Sequence, residues 1–328
     1  MRIVMLLAYL VINRPVGFAA TPTQINNLAA KYYQQGDYAH AEQLWLQALS
    51  TPSPLEKATI ASNLAALYRR TARFNQAQQY FTLTYTLCLG ELGPDHTNTA
   101  MALNNLADLE TTLAQYNRAE QNFRLALGCR NLLPADRAVI RNNLGNLLRI
   151  VGRFAEAHRH LDANWNDQAD LLQTYNNLGR LAEDEDRNNA ALQFYQSALA
   201  ISPLPAITAN LGRLYLRQGN LRQARLLLEK SLSGNPSLPE RAVILQSLGE
   251  LLLSEDRTAE AIESFQAALV LREQLFGPRH PGLAPLLTNL ATAFRKNGHH
   301  QQARRLETRA NHLVEAEEQS RPYIHWRH

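Results

Sequence analysis

The sequence predicts an all-α fold, a solenoid of about eight antiparallel helix pairs stacked into a right-handed superhelix. Three observations carry this expectation. One arrangement of small, aromatic and apolar residues returns eight times between residues 22 and 313. Leu and Ala dominate the chain, which favours helix. Of the 328 residues 45% are hydrophobic, enough to bury a long core and too many for a disordered chain.

The first copy is the clearest. Residues 26–49 read NNLAAKYYQQGDYAHAEQLWLQAL, framed by Leu28-Ala29, Tyr32, Gly36, Tyr38, Ala41, Trp45 and Ala48. The frame returns at Leu64-Ala65 with Tyr68, Phe74, Ala77 and Phe81, and at Leu106-Ala107 with Tyr116, Ala119, Phe123 and Ala126. Leu144-Gly145 leads Gly152, Phe154, Ala157 and Leu161; Leu178-Gly179 leads Ala191, Tyr195 and Ala198. Leu211-Gly212 leads Tyr215, Gly219, Ala224 and Leu228; Leu248-Gly249 leads Ala261, Phe265 and Ala268. The last copy has Leu290-Ala291, Phe294, Gly298, Ala303 and Ala310. Small residues in the leading pair and at the later Ala let two helices approach closely, and the aromatic fills the gap between them. Gly at the turn accepts a backbone conformation that other residues resist. Pro203 and Pro236 stop one unit before the next begins. One unit cannot bury its apolar face alone, so units must stack.

This frame resembles the tetratricopeptide repeat family, whose motif is a Leu-Gly or Leu-Ala pair, a Tyr, a Gly, an aromatic, then Ala, an aromatic and Ala. The resemblance covers residues 22 to about 313 and implies a concave groove lined by the first helix of each pair. Successive leading Leu residues lie 36, 42, 38, 34, 33, 37 and 42 residues apart. The two longest intervals hold LGPDHTNTA at 92–100 and FGPRHPGLA at 276–284. These segments are similar to the linker of the 42-residue, kinesin-light-chain-like variant, and imply a lengthened second helix before a Gly-Pro turn. Some copies are degraded. Asp186 and Asn188 in repeat five, and Asp256 and Thr258 in repeat seven, replace the turn Gly and the aromatic after it. Asn164 replaces the later Ala of repeat four. Looser turns and less regular packing are expected there. The final unit carries Glu307 in place of an aromatic and continues as a polar terminal cap, with residues 314–328 as a tail.

The sharpest functional signal is a row of asparagines. The residue before the leading pair is Asn27, Asn63, Asn105, Asn143, Asn177, Asn210 and Asn289; only Ser247 departs. In the family it resembles, this place faces the groove. Asn offers both donor and acceptor, so a row of them suits the backbone of an extended peptide, at about 0.5–1.5 kcal/mol net per bond. The bland alternative is bonding to neighbouring helices or water. Yet Asn is a mediocre helix former, and an unneeded residue there would more often be Ala, Glu or Lys. Asn146 and Arg149, Arg180 and Asp184, and Arg213 and Arg217 add charge, with Arg69 and Arg70 earlier. An arginine-rich centre suits a peptide carrying carboxylates. The family's clamps for a C-terminal carboxylate pair Lys with Asn, and the early Lys is absent here. The expected role is therefore an adaptor holding a protein or peptide segment, and the alternative is a scaffold of an envelope assembly using its convex face or ends.

Other classes find little support. There are 33 Lys and Arg against 29 Asp and Glu, a formal charge of +4 with no dense basic tract, so nucleic acid is not an expected partner. No Gly-rich phosphate loop, HExxH helix or GxSxG elbow is present, and the acidic run Glu183–Asp186 lacks calcium-loop spacing. Neither an enzyme nor a metal or other cofactor is expected. Cys88 and Cys129 occupy similar places in adjacent repeats and read as two free thiols rather than one staple. Residues 1–19 combine Arg2, the apolar run Ile3–Ile12 and the small residues Gly17 and Ala19, a pattern that reads as a signal peptide cut after Ala19. The run is too short to span a bilayer. Export to a periplasm or beyond is expected, with a cytoplasmic location if the segment is not a signal.

Overall fold

The computed structural model describes residues 20–161 and 168–320. The expected signal segment, Asn164 and the last residues of the tail lie outside them. Among the described residues sixteen α-helices and one 3-10 turn occur in order, with no strand. In chain order they follow as eight consecutive pairs: α1 (Pro22–Gln34) then α2 (Tyr38–Ala48), α3 (Pro54–Arg70) then α4 (Phe74–Leu92), α5 (Thr97–Thr112) then α6 (Tyr116–Leu127), and α7 (Pro134–Ile150) then α8 (Phe154–His160). The others are α9 (Gln168–Asp184) with α10 (Asn188–Ile201), α11 (Pro205–Arg217) with α12 (Leu221–Ser233), α13 (Leu238–Ser254) with α14 (Thr258–Phe276), and α15 (Ala284–Lys296) with α16 (His300–Ser320). Several first helices open on proline, whose missing N–H costs nothing in a first turn. Thr21 and Ser237 add capping boxes.

The described residues divide into two compact units, one of residues 20–109 with 128–132, the other of 110–127 with 133–161 and 168–320, so that the boundary falls within α5. In the first unit α1 packs on α2 and on α3, and α3 packs on α4. In the second unit α7, α9, α11, α13 and α15 touch in succession and build one wall, with their partner helices stacked behind. The motif residues form both cores. The first motif Ala of the second helix in all eight copies, Ala41, Ala77, Ala119, Ala157, Ala191, Ala224, Ala261 and Ala303, is 0% exposed. Phe123, Tyr195 and Phe265 are also 0% exposed, each burial contributing about 2–3 kcal/mol.

Both insert-bearing repeats have second helices of 19 residues, α4 and α14, which stop at Gly93 and Gly277. The histidine of each insert then caps the turn that begins there. His96 Nδ1 accepts from the Asn98 N–H and His280 Nδ1 from the Gly282 N–H, both at 3.1 Å. His280 Nε2 also lies 3.3 Å from the Thr112 carbonyl, a contact across 168 residues within the second unit. Repeat four is irregular: its second helix α8 has 7 residues.

The turns of the degraded repeats correct one expectation. Gly36, Ala72, Ala114, Gly152, Asp186, Gly219, Asp256 and Gly298 hold the same place in the eight pairs, and all have positive φ. Each is followed by the same closing bond, the next N–H reaching back five residues. Arg187 donates to the Ala182 carbonyl at 2.8 Å and Arg257 to that of Leu252 at 2.9 Å, as Asp37 does to Tyr32 at 2.9 Å. The turns at Asp186 and Asp256 are therefore as tight as the glycine ones. The helix C-terminus must satisfy its last carbonyls, and a short polar side chain tolerates the left-handed conformation. Ala72, with φ 60°, has no such polar side chain. Ala72→Gly is expected to stabilise the first unit by about 1 kcal/mol, since the left-handed region costs a non-glycine residue roughly 1–2 kcal/mol. A rise in the urea or thermal midpoint checks it.

Candidate functional site

The asparagine row lies along the first helices, and the structure shows what its amides touch. Asn63 Nδ2 donates to Asn26 Oδ1 at 2.9 Å, Asn177 Nδ2 to Asn142 Oδ1 at 3.0 Å, and Asn210 Nδ2 to Asn176 Oδ1 at 2.8 Å. Asn289 Nδ2 donates to Glu250 Oε1 at 2.6 Å. In each case the acceptor belongs to the preceding repeat. The row thus forms rungs between neighbouring first helices, and the acceptors were not singled out in the sequence. The doublets Asn26-Asn27, Asn104-Asn105, Asn142-Asn143 and Asn176-Asn177 were the signal that could have found them. One bond leaves an amide a second N–H and further lone pairs, so a rung can still meet a ligand where it is exposed. Asn27 is exposed; Asn63, Asn105, Asn143, Asn210 and Asn289 are half-buried; Asn177 is 1% exposed and turned fully between helices.

Two bays open on these faces. The first unit has one of about 520 Å³, with Asn63 and Asn105 in its wall beside Ala58, Cys88, His96 and Met101. Its character is mixed: three amides, Asn63, Asn98 and Asn105, and the hydroxyls of Thr59, Ser62 and Thr84 alternate with apolar side chains. Cys88 and Cys129 are both free and buried, and burial pushes the Cys88 thiol up. The second unit has a bay of about 400 Å³, lined by Asn176 and Arg180 of α9, Asn210 and Arg213 of α11, Gln246 and Glu250 of α13, and Arg272 of α14. Arg272, Gln246 and Glu250 were not among the residues the sequence pointed to. Arg272 stands on a second helix, away from the first-helix pattern.

The charges of the second unit are unevenly matched. Arg149 Nη1 pairs with Asp184 Oδ2 at 2.5 Å. Arg213 Nη2 pairs with Glu183 Oε2 at 2.8 Å, and the same oxygen accepts the Tyr195 hydroxyl at 2.6 Å. Arg180 stands between these two arginines and pairs with no carboxylate among the described residues. Its hydrogen bond there is a 3.5 Å contact to Asn146 Oδ1, which Arg149 also uses at 3.3 Å. Burial, together with the charges of Arg149 and Arg213, holds the Arg180 guanidinium down to about 9. Arg217 is exposed, 3.6 Å from Asp186, in a shallow hollow with Arg149 and Asp184. In the first unit Arg69 pairs with Asp108. Among the described residues no group of His, Cys, Asp and Glu is placed to hold a metal, and no helix is long and apolar enough to cross a membrane.

Comparison with known proteins agrees with the architecture. Tetratricopeptide repeat models match residues 23–51, 56–131, 137–163, 172–203, 206–234 and 240–310. A stretch of 85 residues is 38% identical to the cellulose synthase operon protein C of Pseudomonas fluorescens (strain SBW25), covering 26% of this chain and 7% of that protein. Among solved structures, the Rap protein complexed with competence and sporulation factor has a TM-score of 0.68 at 14% identity, covering 98% of this chain and 93% of that one. A tetratricopeptide repeat protein from Parabacteroides merdae ATCC 43184 has a TM-score of 0.53 at 16% identity, with 77% and 97% covered. With eight motif copies folded as eight helix pairs and matches spread from residue 23 to residue 310, the chain belongs to the tetratricopeptide repeat family.

Proposed function

We propose that the chain is a protein-interaction adaptor whose first-helix faces hold an extended segment of a partner protein, and that it works after export. The observation that carries the binding reading is the pair of amide-lined bays, one in each unit, with Asn63 and Asn105 in the first and Asn210 in the second. Amides present donors and acceptors to a peptide backbone and are indifferent to its side chains. The Rap protein, of the same fold, was solved complexed with competence and sporulation factor, which supports a binding role for such a fold. The segment 1–19 supports export.

The test is a comparative pull-down from native cells. One bait is the mature wild-type chain. A second carries Asn63→Ala, Asn105→Ala and Asn210→Ala, with its fold checked by circular dichroism. A third carries Asn177→Ala, which removes a buried rung but lines neither bay. A partner kept by wild type and by the third bait, but reduced about tenfold or more by the second, supports the reading, since three bonds of roughly 1 kcal/mol each are at stake. Equal recovery by all three moves the contact to the second-helix face or the ends.

A further inference from the structure

The bay of the second unit contains two unmet demands. The first is the Arg180 guanidinium. Its neighbours Arg149 and Arg213 each have their own acid, while Arg180 has five donors and one long contact. Arg272 adds a second cation in the bay wall. Its Nη1 donates to the Gly282 carbonyl at 2.9 Å, it has no ion pair among the described residues, and burial depresses it as well. The acids of the bay are already engaged. Glu240 Oε2 accepts from the N–H and the hydroxyl of Ser237, both at 2.7 Å. Glu250 Oε1 accepts from Gln246 Nε2 at 3.0 Å and from Asn289 Nδ2 at 2.6 Å.

The second demand arises from that last arrangement. A carboxylate accepts only, so Glu250 fixes which end of the Gln246 amide faces it. Gln246 Oε1 is then left buried with no donor. A half-buried cation lacking a counter-ion and a buried acceptor lacking a donor each carry a desolvation cost. A ligand with a carboxylate and a nearby N–H would relieve both. Inorganic phosphate supplies the anion but offers Gln246 a poorer match, and brings extra negative charge toward Glu250. A peptide supplies both groups at an acidic residue, or at its last residue.

We propose that this bay receives a peptide carboxylate on Arg180, flanked by Arg213 and Arg272, with Gln246 Oε1 accepting an adjacent backbone N–H. The inference rests on the groove-binding reading and names the chemistry of its ligand. The carboxylate comes from an Asp or Glu side chain or from the chain terminus, and the experiment separates the two.

Three fluorescein-labelled pools of random nonapeptides serve as probes for the full mature chain, read by fluorescence anisotropy. Pool one has a fixed central Glu and an amidated C-terminus. Pool two has Gln in that place and a free C-terminal carboxylate. Pool three has Gln and the amide. All three exclude other acidic residues. Wild type is expected to bind pool one or pool two about tenfold tighter than pool three, and whichever it prefers identifies the source. In Arg180→Met the preference disappears while pool three binds as before. Arg304→Met, which removes a charge from exposed α16, keeps the preference. Gln246→Leu weakens binding of the preferred pool without lowering the melting temperature. Equal binding of all pools by wild type overturns the carboxylate receptor and leaves the groove reading standing. Failure of every pool to bind overturns both. A loss in Arg180→Met shared equally by all pools shows a merely structural arginine.

Discussion

Gly179→Ala is expected to lower the stability of the second unit by about 2 kcal/mol, although it replaces the poorest ordinary helix former with the best. A Cβ at residue 179 would lie 2.5 Å from Tyr195 Cε1, 2.7 Å from Cδ1 and 2.9 Å from Cζ. That ring cannot retreat. Tyr195 is 0% exposed, and its hydroxyl is bound to Glu183, itself fixed by Arg213. The helices α9 and α10 must therefore separate, an overpacking cost of about 3 kcal/mol against roughly 1 kcal/mol gained in propensity. Three sibling substitutions calibrate the argument. Gly249→Ala meets Phe265 Cε1 at 2.6 Å and should cost nearly as much. Gly145→Ala meets Leu161 Cγ at 2.6 Å, but an aliphatic side chain lacks the hydroxyl anchor that holds Tyr195, so its cost is smaller. Gly212→Ala meets Leu228 Cγ at 3.1 Å and should be close to neutral. Urea denaturation of the four variants gives the order directly. A Gly179→Ala protein that melts with wild type would show that the approach of α9 and α10 is not tight.

These glycines also show why the fold was legible in the sequence. The leading small residue, the later Ala and the aromatic act on each other within one helix pair, so a single copy states its own packing. What the sequence did not state depends on residues from other repeats. The row of asparagines was visible, but its rungs join residues 34–39 apart in sequence, such as Asn210 to Asn176 and Asn289 to Glu250. Which amides line a bay and which are turned inward could only emerge once neighbouring first helices were stacked. The turn residues misled for a related reason. Asp186 and Asp256 look like lost glycines when read alone, yet the helix end imposes the same positive φ on them. Arg180 and Arg213 illustrate the limit most clearly. Each stands two residues after its leading Leu, and nothing in the motif distinguishes them. The difference is Glu183, which lies on α9 and reaches Arg213 but not Arg180.

That difference predicts opposite signs for the same substitution. Arg213→Met is expected to destabilise the second unit by about 3 kcal/mol, because it leaves Glu183, 2% exposed, with a charge balanced only by the Tyr195 hydroxyl. Arg180→Met is expected to stabilise the free protein by about 1–2 kcal/mol, raising its melting temperature by a few degrees. The guanidinium stays charged at neutral pH, so the cost of its partial desolvation is present in wild type. Methionine keeps a stem of similar length against the bay wall and removes the cation that Arg149 and Arg213 repel. A binding residue that weakens its own fold is what a receptor for an anion requires: the ligand's charge, and not the protein's, supplies the missing partner. The two melting curves, recorded without peptide, decide the point. If Arg180→Met falls alongside Arg213→Met, Arg180 already has its counter-charge within the protein, and the bay has no need of a carboxylate from outside.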